Sequence, residues 1–134
     1  MMLTWSKWGL DPSGSSGLSP DDYPEAEWVP KPRGPGKRER IRRVPRPEVL
    51  VGSARRVRTA IDLAPGKWKY RSAVMSFAPE DIDVACFNAG APDLRRQVDF
   101  ALSMFLDWCF AGVPVSARPP VFVTTHTHTG RLEV

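Results

Sequence analysis

The chain has 134 residues, of which 42% are hydrophobic, and it carries a formal net charge of +4 with a pI near 9.4. This length allows one domain with a modest core, and the hydrophobic share is ordinary for a globular protein. No apolar run approaches the roughly 20 residues of a membrane span, and the first residues lack the apolar core of a signal peptide. We therefore expect a cytoplasmic protein without a membrane partner, whose mild positive charge favours an anionic ligand.

Residues 1–46 are predicted to be a flexible arm without regular structure. The 14 prolines of the chain are concentrated in this arm and around residues 114–120, and residues 11–19 are rich in Gly and Ser. Such a composition is typical of a linker. The tryptophans Trp5, Trp8 and Trp28 indicate that parts of the arm nevertheless dock on a folded surface.

The second half of the arm is strongly basic. Residues 31–46 contain eight Lys and Arg residues and a single acidic one. A positive, flexible segment suits the phosphates of a nucleic acid, and such binding depends strongly on salt. A solvated linker accounts for the same composition equally well. The candidate DNA-binding residues are Lys37, Arg38, Arg40, Arg42, Arg43 and, on the helix that follows, Arg55 and Arg56.

Residues 47–134 are predicted to form the folded domain. Residues 47–52 are expected to form a short strand, with Ser53 as N-cap of a helix over residues 54–63. A strand is predicted over residues 68–77, from Trp68 to Phe77. Residues 92–110 form the most regular pattern, because apolar side chains recur at helical spacing along them. The members of this stripe are Leu94, Val98, Ala101, Leu102, Phe105, Leu106 and Cys109.

The last residues of the chain hold its two histidines. Residues 121–128 are rich in β-branched side chains and predict a strand, on which His126 and His128 point to the same face. Gly130 favours a turn, and residues 132–134 are expected to begin a return strand that brings Glu133 beside the histidines. Two imidazoles and a carboxylate can bind a divalent metal, Mn²⁺ or Mg²⁺. A polar strand face without a metal is the alternative interpretation.

The order of these elements predicts an α+β fold. We expect a two-layer sandwich, with a mainly antiparallel sheet that carries the histidine pair and with helices on one face. The strands near residues 70–77 and 121–128 are expected to be neighbours. Because the chain stops within the expected return strand, we expect a truncated domain. Cys86 and Cys109 are far apart and do not form a CxxC motif, so we expect reduced, buried thiols.

Three segments in this order resemble the bacterial plasmid relaxases, or mobilization nucleases. They are Pro-Glu-Val-Leu-Val-Gly at 47–52, Tyr-Arg-Ser-Ala-Val-Met-Ser-Phe-Ala-Pro-Glu-Asp at 70–81, and His-Thr-His-Thr-Gly-Arg at 126–131. The similarity covers roughly residues 47–134. It implies a metal-dependent domain that nicks single-stranded DNA at a transfer origin, together with relaxosome accessory proteins.

The resemblance also implies functions for individual residues. His126 and His128 match the paired histidines that hold the metal, and Glu133 is the nearby candidate for a third ligand. In this family a tyrosine upstream of the first segment attacks the scissile phosphate, and Tyr23 is the one tyrosine in that position. Two alternatives remain, namely a non-catalytic nucleic-acid-binding protein of mobile-element origin and a small α+β protein without catalytic function.

Overall fold

The computed structural model describes residues 1–5, 26–30, 40–66 and 69–134. Tyr23, Lys37 and Arg38 lie outside these described residues. The elements in chain order are β1 (Met2–Trp5), β2 (Trp28–Pro30), β3 (Arg40–Arg42), β4 (Val49–Gly52), α1 (Ala54–Leu63), β5 (Ala73–Ser76), α2 (Val84–Asn88), α3 (Pro92–Cys109), a 3-10 turn (Val115–Ala117) and β6 (Phe122–Thr124).

The strands form three antiparallel pairs, β1 with β5, β2 with β3, and β4 with β6. Together with the helices they confirm the predicted α+β class. Three of the strands, β1, β2 and β3, fall within residues 1–46, for which no regular structure was predicted. The first strand pairs along its whole length with β5, so this part of the arm belongs to the folded unit.

Residues 132–134 connect two of these pairs. Backbone hydrogen bonds join Val134 to Met75 in both directions, and the amide of Phe77 donates to the carbonyl of Leu132. On the other side, Glu133 and His126 exchange both backbone hydrogen bonds, at 2.7 and 2.8 Å. The predicted return segment is therefore present, and it lies between β5 and the extension of β6. The prediction that residues 70–77 and 121–128 are neighbours was wrong, because this return segment separates them.

The hydrophobic core lies between these segments and two helices. Its fully buried members include Met75, Phe87, Val98 and Leu132. They come from β5, α2, α3 and the return segment, respectively. Side chains alternate faces along an extended segment, so Leu132 and Val134 face this core while Glu133 points to the other side. The core thus fixes which face of the return segment is polar.

The two longer helices lie where their sequence patterns predicted them. Helix α1 has the predicted bounds, although the Ser53 side chain makes no capping hydrogen bond. Helix α3 begins at a proline, which suits the first helical position because its missing amide hydrogen has no helical partner there. Val98 and Leu102 of the predicted stripe are fully buried. Helix α2 was not predicted, since five residues are too few to show a periodic pattern.

The predicted burial of the two thiols was wrong. Cys86 is exposed and Cys109 is half-buried, and neither forms a disulfide within the described residues. Cys86 follows the Asp83 cap of α2, whose carboxylate accepts a hydrogen bond from the Cys86 amide at 2.7 Å. The nearby Asp83 carboxylate raises the pKa of the Cys86 thiol, so the thiol stays protonated at neutral pH.

None of the helices in the described ranges combines the length and the apolar character that crossing a bilayer requires.

Candidate functional site: the histidine pair

The two histidines lie together on the extension of β6. Their ring centroids are 6.3 Å apart and the rings are almost perpendicular, at 86°. Both residues are half-buried. The Nε2 atom of His126 lies 3.3 Å from the hydroxyl oxygen of Thr124, two residues earlier on the same strand. The contact between Thr124 and His126 agrees with the alternation of side chains along a strand. His128 lies in the turn that follows, so the strand predicted over residues 121–128 ends before it.

Glu133 joins this polar face from the return segment. In an antiparallel pair, directly opposed residues place their side chains on the same side, and Glu133 is opposed to His126. Its carboxylate acts on His128, where its negative charge partly offsets the lowering of the pKa. Ser76 of β5 is also opposed to Glu133 and is 7% exposed. The face therefore carries hydroxyl, carboxylate and imidazole groups side by side.

A buried arginine faces the histidines. Arg43 is only 1% exposed, although a side chain of this kind is almost never fully buried unless it has a partner. Its backbone amide donates to the carbonyl oxygen of Glu27, at 2.7 Å, which ties it to the residue before β2. Its positive charge acts on both His126 and His128. Arg43 was predicted as a DNA-contacting residue of a flexible arm, and the structure instead gives it a fixed, buried position.

Burial and this neighbouring charge keep both imidazoles neutral. Burial is the larger cause and the Arg43 charge the second, and together with the charge on His128 they lower the pKa of His126 to about 4. The pKa of His128 is also lowered, first by burial and then by Arg43. Both rings therefore keep an unprotonated nitrogen at neutral pH. A neutral imidazole can accept a proton or bind a metal ion, and a protonated one can do neither.

Hydrogen bonds from other elements hold the histidine strand in place. The Thr125 amide donates to the carbonyl of Glu48, and the Glu48 amide donates to the Thr125 hydroxyl, at 2.9 and 3.0 Å. The side-chain amide of Asn88, at the end of α2, donates to the Thr127 hydroxyl at 3.4 Å. The amide of Gly130 donates to the carbonyl of Thr127 and closes the predicted turn. Both ends of the histidine segment are thus fixed.

Arg95 of α3 connects the helices to this region. Its guanidinium donates to the Glu48 carboxylate at 2.6 Å and to the backbone carbonyl of Phe87 at 3.2 Å. The same guanidinium lies 4.0 Å from the centroid of the Phe87 ring. One side chain therefore joins α3, α2 and the residue that precedes β4. Because Glu48 also binds Thr125, Arg95 acts on the position of the histidine strand through a single intermediate residue.

The donor atoms of this site suit a divalent metal. The Nδ1 atom of His128 is buried and has no hydrogen-bond partner in the part of the chain that the structure describes. Imidazole nitrogens suit transition metals, and carboxylate oxygens such as those of Glu133 suit Mg²⁺ and Mn²⁺. Two imidazoles on one tetrahedral ion would have ring centroids about 5 Å apart. The observed 6.3 Å is wider, so joint binding requires a rotation of the side chains.

The third ligand is not brought into a closed cluster. Among the described residues, no three side chains of His, Cys, Asp or Glu gather closely enough to hold a metal ion. His126 and His128 are the two residues of the candidate site that are best placed to hold a metal ion. Glu133 is beside them, and the buried charge of Arg43 opposes a second positive charge. A bound anion offsets the repulsion between Arg43 and a metal ion, because it is attracted to both positive charges.

The other predicted DNA-binding residues that the structure describes lie on two elements. Arg40 and Arg42 lie on β3, and Arg55 and Arg56 are exposed on α1. Of these four, only Arg42 has a charged partner that is resolved here, because its Nε atom donates to the Glu27 carboxylate at 2.6 Å. The same carboxylate accepts from Arg46 at 2.8 Å. The exposed arginines are thus accessible to a ligand, and Arg43 is separate from them.

Sequence reasoning missed the connection between Arg43 and the histidines. The two lie more than 80 residues apart, and no pattern in a single sequence reports such a contact. The local sequence Arg-Ile-Arg-Arg at residues 40–43 gives no signal that separates the buried Arg43 from the exposed Arg42.

Comparison of the chain with protein-family models, with curated proteins and with solved structures finds no match.

Proposed function

We propose that the chain is a relaxase-like DNA-nicking nuclease domain of plasmid mobilization, with its reactive centre at the histidine pair. The observation that carries this proposal is the pair itself, in which two neutral imidazoles lie beside the buried guanidinium of Arg43. The pair follows the Pro-Glu-Val-Leu-Val-Gly and Tyr-to-Asp segments in the order that the family has. The location in the cytoplasm and the partners, single-stranded DNA and relaxosome proteins, follow from the same proposal.

The proposal includes a finer fold than the α+β class. In a two-layer sandwich, one antiparallel sheet carries the histidines and the helices cover its opposite face. Two observations support it. Residues 132–134 bridge β5 to His126, which links the β1–β5 and β4–β6 pairs through backbone hydrogen bonds. The core members of α2 and α3 pack on the side of Leu132, away from Glu133.

The chemistry of the site suits a phosphodiester. Arg43 supplies a permanent positive charge, and the Thr124 hydroxyl and the two imidazoles supply polar atoms for phosphate oxygens. Mn²⁺ or Mg²⁺ held by His126 and His128, with Glu133 as the third candidate, supplies further charge neutralisation at the phosphoryl oxygens when it is bound. Exclusion of water around half-buried rings strengthens each of these interactions.

Tyr23 is the proposed nucleophile, and it lies outside the described residues. Its phenolic oxygen forms a bond to the phosphorus, and the bond from phosphorus to the 3′ oxygen breaks. The products are a 5′-phosphotyrosyl link and a free 3′-hydroxyl, so the phenolic proton is passed on to the leaving oxygen. A neutral imidazole is able to accept that proton, as covalent catalysis by a hydroxyl requires.

Metal binding is the first test of this proposal. We would titrate Mn²⁺ into the purified full chain by calorimetry, beside the His126→Ala/His128→Ala double variant. The wild type should bind the ion, and the double variant should lose that binding. The exposed pair of substitutions Arg55→Ala/Arg56→Ala is the matched control, since those residues lie on α1 and should leave metal binding unchanged. Absence of binding by a folded wild type contradicts the metal-assisted mechanism.

DNA nicking is tested separately. The chain is incubated with Mn²⁺ and a library of random-sequence single-stranded oligonucleotides, and covalent adducts are recovered under denaturing conditions and sequenced. Adducts should form with the wild type and disappear with Tyr23→Phe, which removes only the phenolic oxygen. Adducts that persist in Tyr23→Phe would assign the nucleophile to another residue, and no adduct with any sequence counts against the nuclease.

A second function is favoured by one specific observation. Arg43 brings a buried positive charge to the histidines, and no closed three-ligand cluster forms among the described residues. Such a site attracts an anion without needing a metal, so the chain would bind nucleic acid without cutting it. This alternative predicts salt-sensitive DNA binding that survives the His126→Ala/His128→Ala substitution.

A further inference from the structure

The β2–β3 ribbon presents one exposed face that combines an aromatic ring with arginines. Trp28 is opposed to Arg42, and Pro30 is opposed to Arg40. Opposed residues of an antiparallel pair share a face, and residues two apart on one strand share it too. Trp28 is 49% exposed, so its ring is accessible to a ligand. Arg40 and Arg42 are both exposed beside it.

The ribbon and the residues next to it are positively charged, and some of these charges form ion pairs. Glu27 accepts hydrogen bonds from Arg42 and Arg46, which lowers the pKa of the Glu27 carboxyl and keeps it ionised. Each guanidinium has five N–H donors, so a single contact with Glu27 leaves donors that can bind a phosphate. Two exposed arginines share this one carboxylate, and the exposed Arg40 lies on the same strand as Arg42. The residues that connect the two strands, 31–39, add four basic residues and one acidic residue in the sequence.

The ribbon is continuous with the histidine site through the backbone. Arg42 belongs to the exposed face, and the next residue, Arg43, is the buried arginine whose charge acts on His126 and His128. Successive residues of an extended chain point to opposite sides. A ligand that lies on the ribbon is therefore only one residue of backbone away from the charge that faces the histidines.

We infer that Trp28 stacks on an unpaired base of a single-stranded nucleic acid whose phosphates are bound by the flanking arginines. The exposed face offers a π surface with two arginines on the same face, and aromatic rings with nearby positive charge bind single strands with little sequence preference. Charge complementarity favours this occupant over an apolar protein surface, because Arg40 and Arg42 are both exposed on the face that carries Trp28. The inference deepens the proposed function and rests on it, since the same strand would continue to the histidine site.

The test compares Trp28→Ala and Trp28→Phe with the wild-type full chain by fluorescence anisotropy of a labelled single-stranded oligonucleotide. Trp28→Ala should weaken binding roughly 5- to 100-fold, the range of one lost base stack, and Trp28→Phe should recover most of it. Trp108→Ala is the matched control, since Trp108 is 66% exposed on α3 and should leave the affinity unchanged.

Two further measurements distinguish base stacking from a structural effect of the substitution. An oligonucleotide of the same length with abasic sites should bind the wild type more weakly, and Trp28→Ala should not weaken its binding further, because the stack is already absent. The salt dependence should be unchanged in Trp28→Ala, whereas Arg40→Ala should reduce its slope by about 0.7 if one phosphate contact is lost.

The outcomes distinguish this inference from the proposed function. Wild-type affinity in Trp28→Ala, or equal affinity of the wild type for normal and abasic strands, overturns the stacking inference and leaves DNA binding intact. A wild type that binds no single strand overturns both. If Trp28→Ala binds DNA normally but a protein partner fails to co-purify with it, the ribbon is a protein-docking surface and the inference is wrong.

Discussion

At the scale of the residue, the histidine site depends on what surrounds each imidazole. His126 is neutral because its ring is half-buried and because Arg43 is buried beside it. The sequence shows two histidines of the same kind, and the structure makes them different. The pKa of His126 is lowered to about 4, and the pKa of His128 is also lowered while the Glu133 carboxylate acts in the opposite direction.

The first prediction concerns the pH dependence of stability. The ordinary pKa of 6.5 applies to His126 in the unfolded chain, and about 4 applies in the folded one. Above pH 6.5 both states are neutral and the folded state is fully stable. As the pH falls from 6.5 to 4, the unfolded chain binds a proton that the folded chain does not bind, so the free energy of unfolding should fall by about 3 kcal/mol.

Urea unfolding of the metal-free chain at several pH values measures this loss. The His126→Gln variant is the control, since glutamine does not titrate, and its stability should change less across the same window. Equal pH profiles for the variant and the wild type would mean that His126 keeps an ordinary pKa.

Gly52 illustrates a second residue-scale constraint. It ends β4 with φ of +75°, and a Cβ atom added there would overlap the backbone carbonyl oxygen of Val121. We expect Gly52→Ala to lower the free energy of unfolding by about 2–4 kcal/mol, because both the left-handed backbone and the clash are unfavourable. Gly66 also has positive φ but open space around it, so Gly66→Ala should cost about 1 kcal/mol. Chemical denaturation compares the two, and a similar cost for both would remove the clash from the explanation.

At the scale of the element, α2 and α3 hold the histidine strand from the core side. Helix α3 was predictable because its apolar residues repeat every three to four positions, and Val98 and Leu102 of that stripe are buried. Helix α1 has the predicted bounds for the same reason. Helix α2 was not predicted because it has only five residues. Its one local signal is the Asp83 cap.

The element-scale prediction concerns Arg95, which joins both helices to Glu48. Arg95→Met should lower the free energy of unfolding by about 1–3 kcal/mol, since it removes an ion pair, a hydrogen bond to a carbonyl and a contact with the Phe87 ring. Arg96→Met is the matched control. Arg96 is exposed and pairs with Asp93 within one turn of α3, and such a pair contributes about 0.5 kcal/mol or less.

Thermal denaturation of the two variants measures the difference. A loss in Arg96→Met as large as that in Arg95→Met would show that the helix itself, and not its attachment to Glu48, is the sensitive feature.

At the scale of the whole molecule, the first strand of the N-terminal segment contacts the domain. The sequence predicted a boundary near residue 46, yet β1 pairs with β5 over four residues and the Trp5 ring lies 5.6 Å from the ring of Phe105. The N-terminal ammonium also lies 3.3 Å from the Asp81 carboxylate. Tryptophans predicted that parts of the arm dock, and Trp5 confirms this. The partner of β1 was not predictable, since strand pairing over such a separation leaves no local pattern.

The whole-molecule prediction is that residues 47–134 alone are less stable than the full chain. Loss of β1 exposes one edge of β5 and the ring of Phe105, so the fragment should melt at a lower temperature or lose cooperative unfolding. Trp5→Ala in the full chain should give a smaller effect in the same direction. A fragment that melts at the same temperature as the full chain would support the predicted domain boundary at residue 46.

The histidine site itself was half predictable. The turn at Gly130 and the return of Glu133 follow from local rules about strands and turns, and the structure has both. The two histidines lie near each other, but His128 is in the turn and not on the strand from which a common face was predicted. Arg43 could not be assigned to the site, because its approach depends on how β3 is placed. Tyr23 lies outside the described residues, and its function stays a prediction.

The pairing of β1 with β5 and of β4 with β6 also affects how the chain folds. In both pairs the partners are separated by about half of the 134 residues, and residues 132–134 lie between β5 and the much nearer His126. Non-local pairing of this kind slows folding, since the loop entropy is lost before the contacts form. During synthesis β1 and β4 have no partner until β5 and β6 are made, and their unpaired edges are open to other chains. The histidine pair therefore reaches its surroundings only after β5 and residues 132–134 have both been made.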